Sequence, residues 1–229
     1  MKTFALPSLE AYHDLPSPPL DWSNLDCVSV WLIEVAQPRV VYWLRSIANN
    51  GQLGWLANLG QVHPGGFIKY DLHRWSTGER LRLHFWGEPG AELDIHDHRW
   101  SYVSLPLAGR FIEDRYKLVQ GVFSEYNSLV CRPRDAFGNI IVGPGLALAA
   151  VPAERLHYKV GEAYGLRSGD FHVFRRAANE LSVTLVLTSR TTREHANILT
   201  RREIQSQITT PQPTAAEAAK SLANLLSVL

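Results

Sequence analysis

The segment Asp94-Ile95-His96-Asp97-His98 sets two imidazoles two residues apart, and on a β-strand alternate side chains share a face. His96 and His98 would then point the same way, close enough to grip one ion, since neutral imidazoles are good ligands for borderline divalent metals. A third ligand has to come from another strand. The stretch from Gly161 through Arg167, Ser168, Gly169 and Asp170 to His172 supplies one candidate, because its glycine-rich turn opens a strand-like run that carries a histidine. His157, in Arg-Leu-His-Tyr-Lys-Val, competes for the same role. Three imidazoles leave positions open for a substrate or dioxygen. The alternative for the pair is two histidines on an interior strand face with no metal. Alternation turns Asp97 and Arg99 away from any ion held there.

A second polar pattern lies upstream. In Arg80-Leu-Arg-Leu-His-Phe-Trp86, the side chains of Arg80, Arg82, His84 and Trp86 share one face, and Leu81, Leu83 and Phe85 take the other. If the polar face is internal, Arg82 and His84 line a pocket; if external, they are solvated. Both readings stand on sequence alone. Tyr102 reads either as a pocket acid near the metal or as a core aromatic. His13, His63, His73 and His195 have no partner pattern and read as structural or exposed.

These side chains need strands to hold them. After His63 the chain turns to short β-type runs separated by Gly, Pro and Asn: RLRLHFW, YVSLPLAG, RFIEDRYKLV, GVFSEYNSLV, RLHYKV, FHVFRR and LSVTLVLTS. Many strands without intervening helices imply a barrel or sandwich. Residues 132–153 are apolar but broken by Gly and Pro, and read as an elaborated connection across one end. From Pro38, the residues Val40, Val41, Trp43, Leu44 and Ile47 fall at helical spacing, with Gly51 suited to the end. The preceding CVSVWLIEV fits a strand or a buried helix. Thr214 and Glu217 make a capping-box pattern before Leu222, Leu225, Leu226 and Leu229, predicting a terminal helix docked on the barrel or on a second subunit. The expected organisation is a Pro- and Ser-rich arm (1–24) and helical segment within 1–64, a barrel over 65–200, and a tail with a helix over 201–229. There is no internal repeat.

The 229 residues carry 23 Lys+Arg against 22 Asp+Glu, a net charge of +1 with no long like-charge run, which argues against nucleic acid as a partner. The N-terminus lacks a signal-like apolar stretch and no window is apolar enough to span a bilayer, so a cytoplasmic protein that is no membrane partner is expected. Cys27 and Cys131 have no paired spacing and read as two buried free thiols.

The histidine-bearing segments resemble the two motifs of the cupin superfamily, G-x5-H-x-H-x3,4-E-x6-G and G-x5-P-x-G-x2-H-x3-N. Gly90, His96, His98 and Gly109 match the first, and Gly161, Gly169 and His172 match the second. The resemblance implies an all-β cupin barrel (a double-stranded β-helix, or jelly-roll) with an N-terminal helical segment and a C-terminal helix. Tyr102 or Val103 stands where the first motif has Glu, and Arg167 and Arg176 replace the usual Pro and Asn. Without the Glu, the ligand set is similar to that of thiol dioxygenases, and LHFWGEPGAELDIHDHRW reads much like cysteine dioxygenases over roughly residues 65–190. That likeness implies one Fe(II), or another divalent metal, per chain and a small amino-acid-like or carboxylate-bearing substrate. It also implies an anchoring arginine, with Arg74 the first candidate and Arg82 the second, and His84 beside them. The family's Ser, His and Tyr behind the metal are replaced by Thr184, Val186 and Thr188, and its strand cysteine is missing near Tyr102, Val103 and Ser104. A substrate other than cysteine follows. Two other functions are compatible with the motifs: an isomerase, lyase or cyclase using the metal as Lewis acid with Tyr102 or His157 moving protons, or a non-catalytic binding cupin. Cupins often pair through outer strands, so a homodimer is expected.

Overall fold

The run that fits either strand or helix is helical. Helix α1 (Leu25–Trp31) starts where the Asn24 side chain accepts a hydrogen bond from Cys27 N at 3.1 Å, and it continues through one π-helical turn (Leu32–Ala36) into α2 (Gln37–Asn49). Val40, Trp43, Leu44 and Ile47 form the buried stripe of α2, with Pro38 in its first turn directly after the π-helical turn. Val41 lies beside the stripe and is only half-buried. Helix α3 (Leu53–Asn58) follows, and α4 (Ala215–Leu226) closes the chain with both halves of the Thr214–Glu217 capping box in place. The computed structural model describes residues 15–63, 65–86, 94–120, 126–134, 140–146, 148–176, 180–201, 203, 207–208 and 211–229. Most of the arm and Gly90 lie outside these; the arm's Leu15 is buried in the main core.

The strands in chain order are β1 (Gly60–His63), β2 (Phe67–Arg74), β3 (Arg80–Trp86), β4 (Ile95–His96), β5 (Tyr102–Ala108), β6 (Phe111–Gln120) and β7 (Asn127–Arg134). They continue with β8 (Ile140–Pro144), β9 (Leu148–Tyr158), β10 (Tyr164–Leu166), β11 (Phe171–Arg176), β12 (Ser182–Thr188), β13 (Ala196–Thr200) and β14 (Gln207–Ile208). The stretch expected as a connection is therefore mostly strand. Gly143 and Pro144 interrupt its hydrophobic pattern but sit at the end of a short strand, where a ladder tolerates them.

All pairings are antiparallel. One sheet has the order β1-β2-β3-β12-β5-β10 and the other β14-β8-β7-β13-β4-β11-β6-β9. From β3 to β6, and again from β10 to β13, each successive strand joins the opposite sheet. Such alternation winds the chain as a double-stranded β-helix, the cupin-type barrel expected from the motifs. Gly109, Gly161 and Gly169 take positive φ at +82°, +84° and +91°, which is why these turns carry glycine.

The six-stranded sheet has its apolar side outward. Leu81, Leu83 and Phe85 of β3, with Val103, Leu105 and Leu187, share one core with Val28, Leu32 and Leu44 of the helices and Leu222 and Leu225 of α4. Each of these fully buried side chains contributes roughly 1.5–3 kcal/mol. The terminal helix therefore docks against the N-terminal helices on the outside of the barrel. The opposite face of β3, with Arg82, His84 and Trp86, turns inward. The two thiols are unpaired, but Cys27 is exposed on α1 and Cys131 only half-buried, contrary to the buried thiols expected. Among the described residues, no helix is long and apolar enough to cross a membrane.

Candidate metal centre

Strands β4 and β11 hold equivalent places in the two windings and pair side by side, so that His96 lies directly opposite His172. His98 follows two residues beyond His96, where the chain leaves β4. The three rings gather with centroids 4.8 Å apart for His96–His98 and His96–His172, and 5.2 Å for His98–His172. One ligand nitrogen from each lies within 4.8 Å of the others. His98 Nε2 and His172 Nε2 are 3.1 Å apart. Two nitrogens each at about 2.1 Å from one divalent ion, at right angles, stand about 3 Å apart, so this pair suits a shared cation.

The other ring nitrogens fix the tautomers. His96 Nδ1 lies 2.8 Å from the Asp94 carbonyl oxygen, and His172 Nδ1 lies 2.9 Å from Glu113 Oε1. Both partners are acceptors, so both Nδ1 atoms donate and both Nε2 lone pairs face the common point. Burial is the first cause holding all three histidines below their ordinary pKa, well below for His98 and His172, where like-charged neighbours add to it. All three are neutral at physiological pH, the form in which an imidazole can take a metal.

Glu113 is the residue that motif reading missed. It is fully buried on β6 and accepts from His172 Nδ1, from Tyr158 Oη at 2.8 Å and from Arg115 Nε at 3.0 Å. A carboxylate behind a ligating histidine fixes ring orientation and raises ligand basicity. The sequence signal was an inward-facing alternation, Phe111-x-Glu113-x-Arg115, on a strand otherwise read for its apolar content.

Tyr102 begins β5, and its Oη lies 3.4 Å from His172 Nδ1. Burial drives its phenol pKa well above the usual value, with Tyr164 and Glu113 contributing, so it keeps its proton. Behind it, Tyr164 stacks on Tyr158 at 4.0 Å, and Phe174 joins Trp86 and Phe111 in an aromatic interior. Across the barrel, Arg82 is 5% exposed; its Nε donates to Asp71 Oδ1 at 2.7 Å and its guanidinium lies 5.2 Å from the Trp100 ring centre. His84 Nε2 and Trp86 Nε1 are buried without a hydrogen-bond partner among the described residues. Burial first, then Arg82 and Lys69, holds His84 well below its usual pKa. The internal reading of this strand face is thus the one the fold adopts, and Lys69 on β2 stands opposite His84 on it.

Other candidates lie apart from the cluster. Arg74 is exposed at the end of β2, opposite Arg80. His157 is exposed on β9, and Asp114 feels its charge, whereas the metal-capable group consists of His96, His98 and His172. Asp97 does turn away: it is 1% exposed and accepts from Arg193 Nη1 at 2.5 Å and Asn197 N at 2.6 Å. Arg99, half-buried, sets its guanidinium 5.4 Å from the Trp100 ring centre. Thr184 and Val186 of β12 are buried opposite His84 and Arg82, and Thr188 opposite Arg80.

Fold and site together define a cupin-type barrel with a three-histidine cluster suited to a divalent metal. No protein-family model matches the chain, and no curated protein matches it. Among solved structures, the chain is similar to an oxalate decarboxylase from Lactobacillus farciminis in its formate complex, at 13% identity over 59% of this chain and 32% of that one, with a TM-score of 0.34. It is similar to KdgF from Halomonas sp. at 12% identity over 57% and 86% of the two chains, TM-score 0.35. Streptomyces PAC13 with uridine matches at 10% identity over 70% and 92%, TM-score 0.32. Likenesses of that size carry no argument about activity, which has to come from the residues.

Proposed function

We propose that this chain is a metal-dependent oxidoreductase of the non-haem iron type, in which His96, His98 and His172 hold one Fe(II) and a small carboxylate-bearing substrate binds beside it. The observation that supports this reading is the convergence of three imidazoles with two of their Nδ1 atoms fixed as donors by Asp94 O and Glu113. Bound there, Fe(II) would supply open coordination positions for a substrate group and dioxygen.

The chain's own residues do the rest. Glu113 keeps His172 in the ligating orientation. Tyr102 keeps its proton, and its hydroxyl lies beside His172 Nδ1, so on this reading it is an acid next to the cluster. Arg82 presents a fixed fork to a carboxylate, and the unsatisfied His84 Nε2 and Trp86 Nε1 offer further polar contacts on the same face. Trp86, Phe111 and Phe174 give the interior an aromatic lining. Arg74 is an outer anchor on this reading. A second reading keeps the ion as a Lewis acid for isomerisation, cyclisation or decarboxylation, and is favoured by Tyr102, a protonated acid next to the cluster.

The test is metal content by elemental mass spectrometry for the parent and His96→Ala, followed by oxygen uptake with candidate acids. About one iron per chain, lost in the variant, with substrate-dependent oxygen uptake supports the proposal. Metal with turnover but no oxygen consumption moves the assignment to the Lewis-acid reading. Neither protein binding metal after anaerobic Fe(II) loading overturns both and leaves a binding protein.

A further inference from the structure

Arg74, Arg80, Arg82 and Arg99 are electrostatic neighbours of one another, with Asp71 among them. Arg74 and Arg80 are register partners on β2 and β3, and Arg80 and Arg82 share a strand face. Arg82 and Arg99 lie over the same Trp100 ring, at 5.2 and 5.4 Å. Arg80 feels all the others: burial first, then Arg82, with Arg74 and Arg99 following, hold its pKa down against the pull of Asp71. Among the described residues, the salt bridge of Asp71 is to Arg82, through Nε. Arg74, Arg80 and Arg99 form no salt bridge among the described residues, and Arg82 donates a side-chain hydrogen bond through Nε alone.

The arrangement is built rather than incidental. The Arg99 carbonyl accepts from Thr192 N at 2.8 Å and Arg193 N at 3.2 Å, and from Thr192 Oγ1 at 3.1 Å, which anchors the backbone that carries this guanidinium. A groove of about 580 Å³ opens there, lined by Arg99, Arg132 and Thr191 to Glu194. Its size is that of a small-molecule site. Arg193 pairs with Asp97, whereas Arg99 and Arg132 form no salt bridge among the described residues, and Glu194 is the one acid in the lining. Like charges this close destabilise one another until an anion sits between them.

We propose that this arginine rim recognises the second negative group of a small dianionic ligand, a dicarboxylate or a phosphorylated acid, whose first group reaches Arg82 beside the histidines. The inference rests on the reading of that cluster as the reaction site and sharpens its substrate class. Arg82 is buried and outside the groove's lining, Arg99 is half-buried within it and Arg80 is half-buried beside Arg82, so two anionic groups on one molecule would satisfy both levels. The same field raises the encounter rate of anions and is weakened by salt.

Calorimetric titration of the full chain as purified tests it, with succinate, inorganic phosphate and acetate as probes. Succinate or phosphate should bind at least about tenfold more tightly than acetate, and whichever is tighter names the source of the second group. Arg99→Gln and Arg80→Gln should each erase most of that preference with acetate binding unchanged; Arg99→Lys should erase part of it, since a point charge replaces a fork. Arg110→Gln, at the opposite end of β5 and paired with Glu180, should change nothing. Equal binding of all three probes, or a preference that survives Arg99→Gln and Arg80→Gln in folded protein, overturns the proposal. Metal content of the same variants separates the two claims: a dianion preference in a chain that binds no metal keeps the arginine rim and sinks the reaction site.

Discussion

Replacing Glu113 tests whether the metal centre is set from behind. The carboxylate has three partners: His172 Nδ1 at 2.9 Å, Tyr158 Oη at 2.8 Å and Arg115 Nε at 3.0 Å. Loss of such an outer partner of a metal ligand costs about 10- to 100-fold in affinity, or about 1.4–2.8 kcal/mol. Glu113→Gln keeps an acceptor for His172 but loses the charge, which roughly halves the strength of that hydrogen bond, and its amide donors face two other donors. The expected loss is about tenfold. Glu113→Ala removes the acceptor, frees His172 to rotate and leaves Tyr158 and Arg115 partly unsatisfied, so about a hundredfold loss is expected, with about 1–3 kcal/mol of stability. Competition titration of Co(II) against a chelator reads the affinities, and urea unfolding reads the stability. Cobalt affinities within twofold of the parent in both folded variants would refute the idea that Glu113 orients His172.

Leu44→Ala, at a fully buried position of α2 far from the histidines, should cost about 2–5 kcal/mol in urea unfolding while metal affinity stays at the parent value. Gly109→Ala should cost about 2 kcal/mol or more, because φ is +82° and a Cβ there would lie 2.6 Å from the Leu181 carbonyl oxygen; an unchanged melting temperature would contradict this. Asp114→Asn addresses pH. A hydrogen bond from Arg155 is the largest cause holding the Asp114 carboxyl below its usual value, against burial and helped by the charges of Arg155 and Arg175. A depressed folded pKa gives stability that is present above the unfolded value of about 3.9 and lost as pH falls through the folded one. The parent should therefore exceed Asp114→Asn by up to about 1 kcal/mol at pH 7, a modest figure because Arg155 is largely solvent-screened, and the gap should close near pH 2.

Short-range signals were legible where one strand or helix decides the outcome. His96 and His98 needed only strand alternation, and α2 and the capping box of α4 needed only helical spacing. Residues 132–153 were misread because Gly143 and Pro144 are turn signals locally, while the pairing of β8 with β7 that fixes them as strand is a tertiary matter. Glu113 was missed for a related reason. Its meaning depends on β6 lying next to β11, so that Glu113 stands diagonally behind His172, and no spacing within either segment reports that neighbour. The orientation of β3 was undecidable by the same logic, since an alternating strand looks identical whichever face is covered.

What resolved β3 also explains why the polar interior is tolerated. A barrel that relied on its inside for stability could not line it with Arg82, His84, Ser104 and Thr184. Here the outward faces of β3, β5 and β12 bury their leucines and valines under α1, α2 and α4, so the hydrophobic stabilisation of that sheet lies on its outer side. The inner face is thereby released to carry charged and hydrogen-bonding groups around the histidines. Stability and site chemistry are consequently separable across the thickness of one sheet: substitutions at Leu83 or Leu185 should unfold the chain without tuning the site, and substitutions at His84 or Thr184, one residue along the same strands, should do the reverse.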